Sequence, residues 1–362
     1  MQTRLILLGA GKIGEAILNL LSHTGDYAIT VADADPERLA QVDRMAFAGV
    51  TTRLADVADP AVLANLIDGH DVTLSACPYF LTPAIAAAAR AAGSHYFDLT
   101  EDVGSTRIVK QLAADADTAF VPQCGLAPGF ISIVANDLAS RFDSLRDVQM
   151  RVGALPTYPS NALKYNLTWS TDGLINEYCN SCEAIVDGQL RETSPLEEIE
   201  HFSLDGIDYE AFNTSGGLGT LCDSLAGKVA NLNYKTVRYP GHRDIVKMLV
   251  RDLQLGQPER RHILKEVLEA SIPITRQDVV LVFVSVCGMR GGRLEQESYA
   301  KKIYSQTVNG ELMSAIQLTT AAGICAMVDL LVHGSLPQRG LVRQEDTPLA
   351  SFLENRFGRH YA

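Results

Sequence analysis

The sequence predicts an α/β protein whose first part is a doubly wound parallel sheet and whose second part is an α+β domain. Three observations carry this. Short apolar runs alternate strictly with helical patterns up to about residue 122. A glycine-rich turn, Gly9 to Gly14, joins the first apolar run to the first helix. Beyond residue 123 the rhythm breaks into mixed segments separated by polar stretches rich in Gly, Asn, Ser and Tyr. The implied division is a dinucleotide-binding Rossmann domain at 1–123 and a substrate-binding and dimerisation domain at 124–312. A C-terminal helical segment at 313–362 is expected to pack back on the first domain.

The elements read in order. Residues 3–9 form a short apolar run stopped by glycine, as buried parallel strands do. A helix follows from Lys12 to Ser22, with Ile13, Ile17, Leu20 and Leu21 on one face. Strands are expected at 28–32, 50–54, 72–76, 95–99 and 119–122. Pro36, Pro60 and Pro83 open the intervening helices, where proline loses no hydrogen bond. In the second half the strand candidates are 148–153, 183–186, 233–238 and 279–288. A partner for the last lies near 299–304, through a turn at 289–293. Residues 313–331, with Thr319, Thr320 and Gly323, read as a long buried helix.

Composition narrows the function. Of 362 residues 47 % are hydrophobic and 20 % charged, enough for packed cores and too apolar for disorder. A formal net charge of −12 repels nucleic-acid phosphates and anionic lipid surfaces, so neither is an expected partner. No apolar run is read as approaching the ~18 residues of a membrane span. No cleavable leader is read at the N-terminus. Seven scattered cysteines suit a reducing cytoplasm. Cys179 and Cys182 have CxxC spacing without a second pair, so they are read as unligated thiols and no metal is expected.

Gly9-Ala10-Gly11-Lys12-Ile13-Gly14 follows a strand and opens a helix, the context that makes GxGxxG a cofactor signal. Gly9 permits the tight turn and Gly11 a close backbone approach to a pyrophosphate. Gly14 permits close helix packing. Asp33 lies 19 residues beyond Gly14, where a carboxylate reaches ribose hydroxyls and repels a 2′-phosphate. NAD is therefore expected over NADP, with Arg38 as the argument for NADP. Asp35 reads as a turn or cap residue before Pro36. Asp56 reads either as an adenine ligand or as a helix cap, and Cys77 lies at the cofactor crevice after the fourth strand.

GAGKIG, SACPYF, HYFDLTED and QCGLAPGF resemble the saccharopine dehydrogenase family. YNLTWSTDGLINEY, EAFNTSGGLGTL and NYKTVRYPGH resemble its shorter bacterial branch, which includes lysine 6-dehydrogenase. The resemblance spans nearly the whole chain. It implies nicotinamide-linked chemistry at a carbon bearing nitrogen. It also implies that Tyr79, Asp98 and Cys124 stand near the active site. Asp98 reads as a base or ammonium ligand, or as the cap of the next helix, with Glu101 and Asp102 as neighbours in the same role. Cys124 reads as inert packing rather than a nucleophile. Gly125, Pro128 and Gly129 shape the turn leaving the first domain.

The second domain must recognise the substrate. Arg238 is the first choice for its carboxylate, because guanidinium grips carboxylate through two parallel hydrogen bonds. Lys235 shares the segment, but strand alternation puts it on the opposite side. Asn213 and Thr214 are candidates for added hydrogen bonds and Trp169 for a wall along the substrate's methylenes. His242 reads as a proton shuttle or as a surface-loop histidine.

The expected function is a cytoplasmic, homodimeric, NAD-dependent dehydrogenase of lysine catabolism. It would oxidise a C–N bond as saccharopine dehydrogenases do, giving aminoadipate semialdehyde and glutamate. Three alternatives stay open: a lysine 6-dehydrogenase releasing ammonia, a carboxynorspermidine-type reductase, and a non-catalytic NAD-binding sensor.

Overall fold

The structure, a computed structural model, describes residues 2–362. The chain divides into two compact units. The first comprises Met1–Gly129, Thr307–Glu311 and Gln317–Ala362; the second comprises Phe130–Gln306 and Leu312–Ile316. The main boundary thus falls at Gly129 rather than 123.

In the first unit the sequence alternates as β1 (Thr3–Leu8), α1 (Lys12–Ser22), β2 (Tyr27–Asp33), α2 (Pro36–Met45), β3 (Val50–Leu54) and α3 (Pro60–Ile67). It continues as β4 (Val72–Ser75), α4 (Thr82–Ala92), β5 (His95–Asp98), α5 (Val103–Ala113) and β6 (Ala119–Val121). The strands align in the order β6-β5-β4-β1-β2-β3, all parallel. The order reverses between β1 and β4, so the carboxyl ends of those strands open the crevice in which this architecture binds ligands. Ile6, Leu8, Ile85, Tyr96, Val109 and Phe120 fill one side of the sheet. Asp35 and Asp59 cap the two proline-started helices, accepting from Glu37 N–H and from Ala61 and Val62 N–H.

The second unit begins with α6 (Phe130–Ala139) and the long strand β7 (Ser144–Pro156), followed by α7 (Thr171–Cys179). Then come β8 (Cys182–Val186), β9 (Gln189–Thr193), β10 (Glu200–Leu204) and β11 (Ile207–Asn213). Next are α8 (Leu221–Ser224), β12 (Asn231–Arg238), α9 (His242–Lys247), α10 (Arg261–Ser271), β13 (Asp278–Arg290) and β14 (Arg293–Tyr304). Its mixed sheet runs β10-β11-β12-β7-β13-β14, with β8 and β9 attached beside β12. Three hairpins turn through two-residue loops: Asp187-Gly188, Asp205-Gly206 and Gly291-Gly292. All six residues have positive φ, the backbone such turns need to match strand twist. The expected hairpin at 279–304 therefore exists, but its turn is only two residues long and β14 starts at Arg293. The hairpins β8–β9 and β10–β11 were not anticipated, although Asp-Gly is a strong turn signal.

A small ribbon of β15 (Gln306–Val308) and β16 (Glu311–Met313) precedes α11 (Ala315–Val332). The buried Asp278 carboxylate accepts the Ala315 and Ile316 N–H groups at 2.5 and 3.0 Å and so caps this helix from β13. From Gln317 onward α11 belongs to the first unit. There Gly323 lies so close to the 124–125 loop that a Cβ would sit 2.6 Å from the Cys124 carbonyl oxygen. After α11 a two-residue strand, β17 (Gly340–Leu341), adds a seventh parallel strand beside β6, also unanticipated. One correction concerns length. α11 has 18 residues and a mean hydropathy of 1.8, long and apolar enough by composition to cross a membrane. Of that stretch 83 % is buried inside the protein. It accommodates only one charge, Asp329, whose carboxylate accepts from Tyr27, Asn355 and Arg356.

Gly323→Ala is expected to destabilise the protein by about 1–3 kcal/mol, because the opposing atom is backbone and cannot swing aside. Denaturant unfolding of the variant against wild type checks this; an unchanged midpoint would mean the helix and loop shift freely.

Candidate active site

The cofactor cradle lies at the carboxyl end of β1. Gly9 has φ of 101°, and a Cβ there would press to 2.8 Å from the Ala76 carbonyl oxygen. A Cβ on Gly14 would lie 2.1 Å from the Gly9 carbonyl oxygen, so the loop folds only with glycine at that position. Gly11 differs. A side chain there would meet only the Arg38 guanidinium, at 3.7 Å, so the protein's own packing leaves that space open. Gly11 is also the N-cap of α1 and supplies no side-chain cap. The first turn of α1, from Lys12 and Ile13, therefore presents its backbone N–H groups at a site an anion can fill. These residues fit a dinucleotide pyrophosphate.

Asp33 ends β2 and is mostly buried. Its Oδ2 accepts the Ala10 N–H at 2.7 Å and its Oδ1 the Asp35 N–H at 2.9 Å. Arg38 lies across it, with Nη1 3.8 Å from Asp33 and Nε 3.5 Å from Asp35. Oδ2 thus holds the glycine loop and Oδ1 the turn before α2, with the half-exposed Arg38 guanidinium beside them. Asp56 is exposed and accepts the Ala58 N–H at 2.9 Å; the helix cap is Asp59, so the capping reading of Asp56 is corrected. Cys77 is partly exposed, and burial with the Asp33 charge nearby pushes its thiol up to about 12.

Tyr79 sits half-buried in a single helical turn after β4, edge-on to Phe80 at 5.8 Å. Asp98 is only 1 % exposed. Its Oδ1 accepts the Thr100 and Gln123 N–H groups at 3.0 and 2.9 Å, and its carbonyl accepts the Cys124 N–H. Burial pushes its carboxyl up to about 6, against the pull of those N–H bonds and of the Tyr96 hydroxyl. The helix after β5 is capped by Asp102, which accepts the Ser105 N–H at 2.6 Å, so Asp98 is not that cap. Its carboxylate instead holds Gln123, a non-glycine residue at φ of 65°, at the head of the loop to Gly129. Cys124 is fully buried. Its thiol donates to the Val121 carbonyl at 3.0 Å, the Gln344 amide approaches to 3.2 Å, and burial raises it far above the usual thiol range.

In the second unit Arg238 ends β12 with 3 % exposure. Its guanidinium carbon lies 4.9 Å over the Tyr165 ring and 5.9 Å from the Tyr178 ring. Nε donates to the Tyr178 hydroxyl at 3.0 Å and Nη1 to the Val237 carbonyl at 2.9 Å. Nη2 donates to no protein group among the described residues. Lys235 faces the other way: its ammonium meets Glu200 at 2.5 Å and the Glu198 carbonyl at 2.6 Å, and it shares the Glu200 carboxylate with Arg151.

The surface-loop reading of His242 is corrected: it is 2 % exposed. Burial, with Arg238 nearby, pushes its imidazole down to about 3 against the opposing bond to Leu163, so the ring is neutral near neutrality. Asn213 donates to Thr193 and the Ser194 carbonyl, both at 3.4 Å, and Thr214 pairs with the Thr236 hydroxyl at 2.7 Å. Both serve the sheet. Trp169 donates to the Tyr165 hydroxyl at 3.0 Å and so supports the ring beneath Arg238. Tyr165, Tyr178 and Glu210 were not anticipated. The first two are the ends of the quoted segment YNLTWSTDGLINEY, where the tyrosines carried the only available signal.

Comparison with known proteins agrees with this geometry. Residues 5–121 match the model of the saccharopine dehydrogenase NADP binding domain, and residues 125–357 that of the saccharopine dehydrogenase C-terminal domain. The chain belongs to the saccharopine dehydrogenase family. It is 24 % identical over 302 residues to an NADP(+), L-glutamate-forming saccharopine dehydrogenase of Pyricularia oryzae, covering 77 % of this chain and 66 % of that one. A relative of the same name from Saccharomyces cerevisiae is 23 % identical over 69 % of this chain and 58 % of its own. The matches thus span less than two thirds of these relatives' lengths. The apo saccharopine dehydrogenase (L-Glu forming) structure from Saccharomyces cerevisiae superposes with a TM-score of 0.77 at 17 % identity, over 97 % of each chain, and shares the fold. The nucleotide site is thus a family feature of the first unit. The preference for NAD drawn from Asp33 is not what the relatives carry, since their names specify NADP(+).

For Asp98 the pH sign follows from its raised value. An aspartate whose carboxyl moves from 3.8 to about 6 on folding adds stability below 3.8 that is lost as pH rises through 6. Asp98→Asn keeps an acceptor for Gln123 and Thr100 and removes the buried charge. It is expected to be more stable than wild type at pH 8, by up to about 3 kcal/mol, with the gap closing toward pH 4. Urea titrations across that range test it; an Asn variant weaker at pH 8 than at pH 4 would show that the ionised form is the stabilising one.

Proposed function

We propose that the protein is an NADP-dependent dehydrogenase of lysine catabolism that oxidises saccharopine at its secondary amine. Water completes the cleavage to aminoadipate semialdehyde and glutamate. The observation that carries this is Arg238: a buried cation with an undonated Nη2, held between two tyrosines, in a chain whose first unit matches an NADP binding domain. A guanidinium so placed suits a substrate carboxylate. When bound, the nicotinamide takes the hydride. The chain's own residues bind and orient. The first turn of α1 receives the pyrophosphate, Arg38 the 2′-phosphate and Arg238 a carboxylate. Asp98 positions the Gln123–Gly129 loop through Oδ1, and its buried Oδ2 accepts no backbone N–H.

NADP is favoured over NAD on two grounds. The relatives' names specify it, and Asp33 is occupied with backbone N–H groups while Arg38 stands half-exposed beside Gly11. Arg38→Ala is expected to weaken NADP binding at least tenfold and NAD binding little, as removal of a phosphate-binding guanidinium does. Equal losses for both cofactors would return Arg38 to a structural role.

The deciding assay is nicotinamide reduction with saccharopine or lysine and NADP or NAD. Saccharopine turnover with glutamate release is the expected result; lysine turnover with ammonia release would assign the chain to direct lysine oxidation. Tight cofactor binding without turnover of either would favour the sensor reading. Arg238→Ala is expected to raise the saccharopine KM at least tenfold and leave NADP affinity unchanged. Loss of NADP binding in that variant would mean the clamp is misassigned.

A further inference from the structure

We propose that Tyr178 and His242 are positioning residues for the carboxylate clamp, forming a one-way hydrogen-bonded chain that makes Arg238 meet its carboxylate end-on, through Nη1 and Nη2. The inference rests on the reading of Arg238 as the carboxylate ligand.

The direction of the chain follows from its far end. His242 Nδ1 lies 2.7 Å from the Leu163 carbonyl, which can only accept, so the ring proton is on Nδ1. The ring is enclosed by Phe212, stacked at 6.3 Å, and by Tyr165 at 5.4 Å and Tyr178 at 5.9 Å, edge-on or tilted. A neutral imidazole with its proton on Nδ1 offers a lone pair at Nε2. The Tyr178 hydroxyl, 3.0 Å away, therefore donates its single proton to it. That turns the phenol oxygen's lone pairs toward Arg238, whose Nε donates to it at 3.0 Å. With the opposite tautomer the Tyr178 proton would face the guanidinium, two donors in opposition.

The consequence is selective. A guanidinium can grip a carboxylate side-on through Nε and Nη2 or end-on through Nη1 and Nη2. Tyr178 takes Nε and so closes the side-on edge. Val237 takes one proton of Nη1 and leaves the other. The Tyr165 face at 4.9 Å, itself tied to Trp169, fixes the guanidinium plane. Glu210 anchors the start of α9, accepting the Gly241 and Arg243 N–H groups at 2.8 and 2.7 Å, and so holds His242 in register.

The test uses the full chain with saccharopine and NADP. Four variants are compared by initial rates, NADP dissociation constant and thermal melting: Arg238→Ala, Tyr178→Phe, His242→Leu and His242→Gln. Tyr178→Phe and His242→Leu are expected to raise the saccharopine KM about tenfold, with kcat and NADP affinity nearly unchanged. His242→Gln supplies a carbonyl acceptor for the Tyr178 proton and is expected to restore most of that loss. A packing role alone gives the reverse order, with Leu tolerated and Gln harmful, and overturns the inference. If Arg238→Ala raises KM while Tyr178→Phe does not, the clamp stands and the chain falls. If Arg238→Ala leaves KM unchanged, the clamp reading itself fails. Should His242→Leu not fold, Tyr178→Phe, which keeps the ring, carries the same comparison.

Discussion

A guanidinium buried in the second unit constrains most of what surrounds it. Removing a charge from water costs several kcal/mol unless its donors are met. Arg238 is met by a tyrosine hydroxyl, a backbone carbonyl and the faces of two rings. Each of these partners must in turn be held. Tyr178 needs the neutral His242, His242 needs the Leu163 carbonyl, and Tyr165 needs Trp169. The aromatic residues that meet these demands are also the centre of the unit's core, with Phe212, Val246 and Leu264 packed beside them. Recognition chemistry and hydrophobic core are here the same set of side chains.

Strand alternation keeps two buried cations of one strand from repelling each other. Lys235 and Arg238, three residues apart on β12, project to opposite sides. Lys235 joins Arg151 around Glu200, whose carboxyl those two cations hold below its usual range despite burial. One side of β12 neutralises its cation with a carboxylate of the protein. The other gives its cation aromatic and neutral hydrogen-bonding partners, with the Glu177 charge nearby but not in contact with it, and leaves Nη2 for a carboxylate ligand.

Buried carboxylates in both units serve backbone N–H groups. Asp33 holds the Ala10 and Asp35 N–H groups, Asp98 those of Thr100 and Gln123, and Asp278 those of the first turn of α11. Burial pushes Asp98 and Asp278 up to about 6, which marks them as groups held at a cost rather than freely solvated. A perturbed carboxyl at a strand end is a reasonable sign of a catalytic group. Asp98 has that placement, with Oδ1 holding the Thr100 and Gln123 N–H groups and the buried Oδ2 holding none.

The sequence by itself determined the parallel first unit, its order of elements and its glycine cradle. Those depend on local signals: apolar runs, proline at helix starts, and glycines whose Cβ would strike neighbouring backbone. It also determined that 279–304 pairs as a hairpin and that one of Lys235 and Arg238 faces away. What only the tertiary structure decided was partnership. Whether His242 is solvated or sealed, what the Asp98 carboxylate holds, and whether Asp33 is open to a ribose depend on groups tens of residues away. Tyr165, Tyr178 and Glu210 acquire roles only because α7, β11 and the start of α9 converge on Arg238. The pairing of β17 with β6 is likewise a contact across the chain that two residues, Gly340 and Leu341, cannot announce. Local propensity is written residue by residue, whereas burial, tautomer and charge state belong to the assembled neighbourhood.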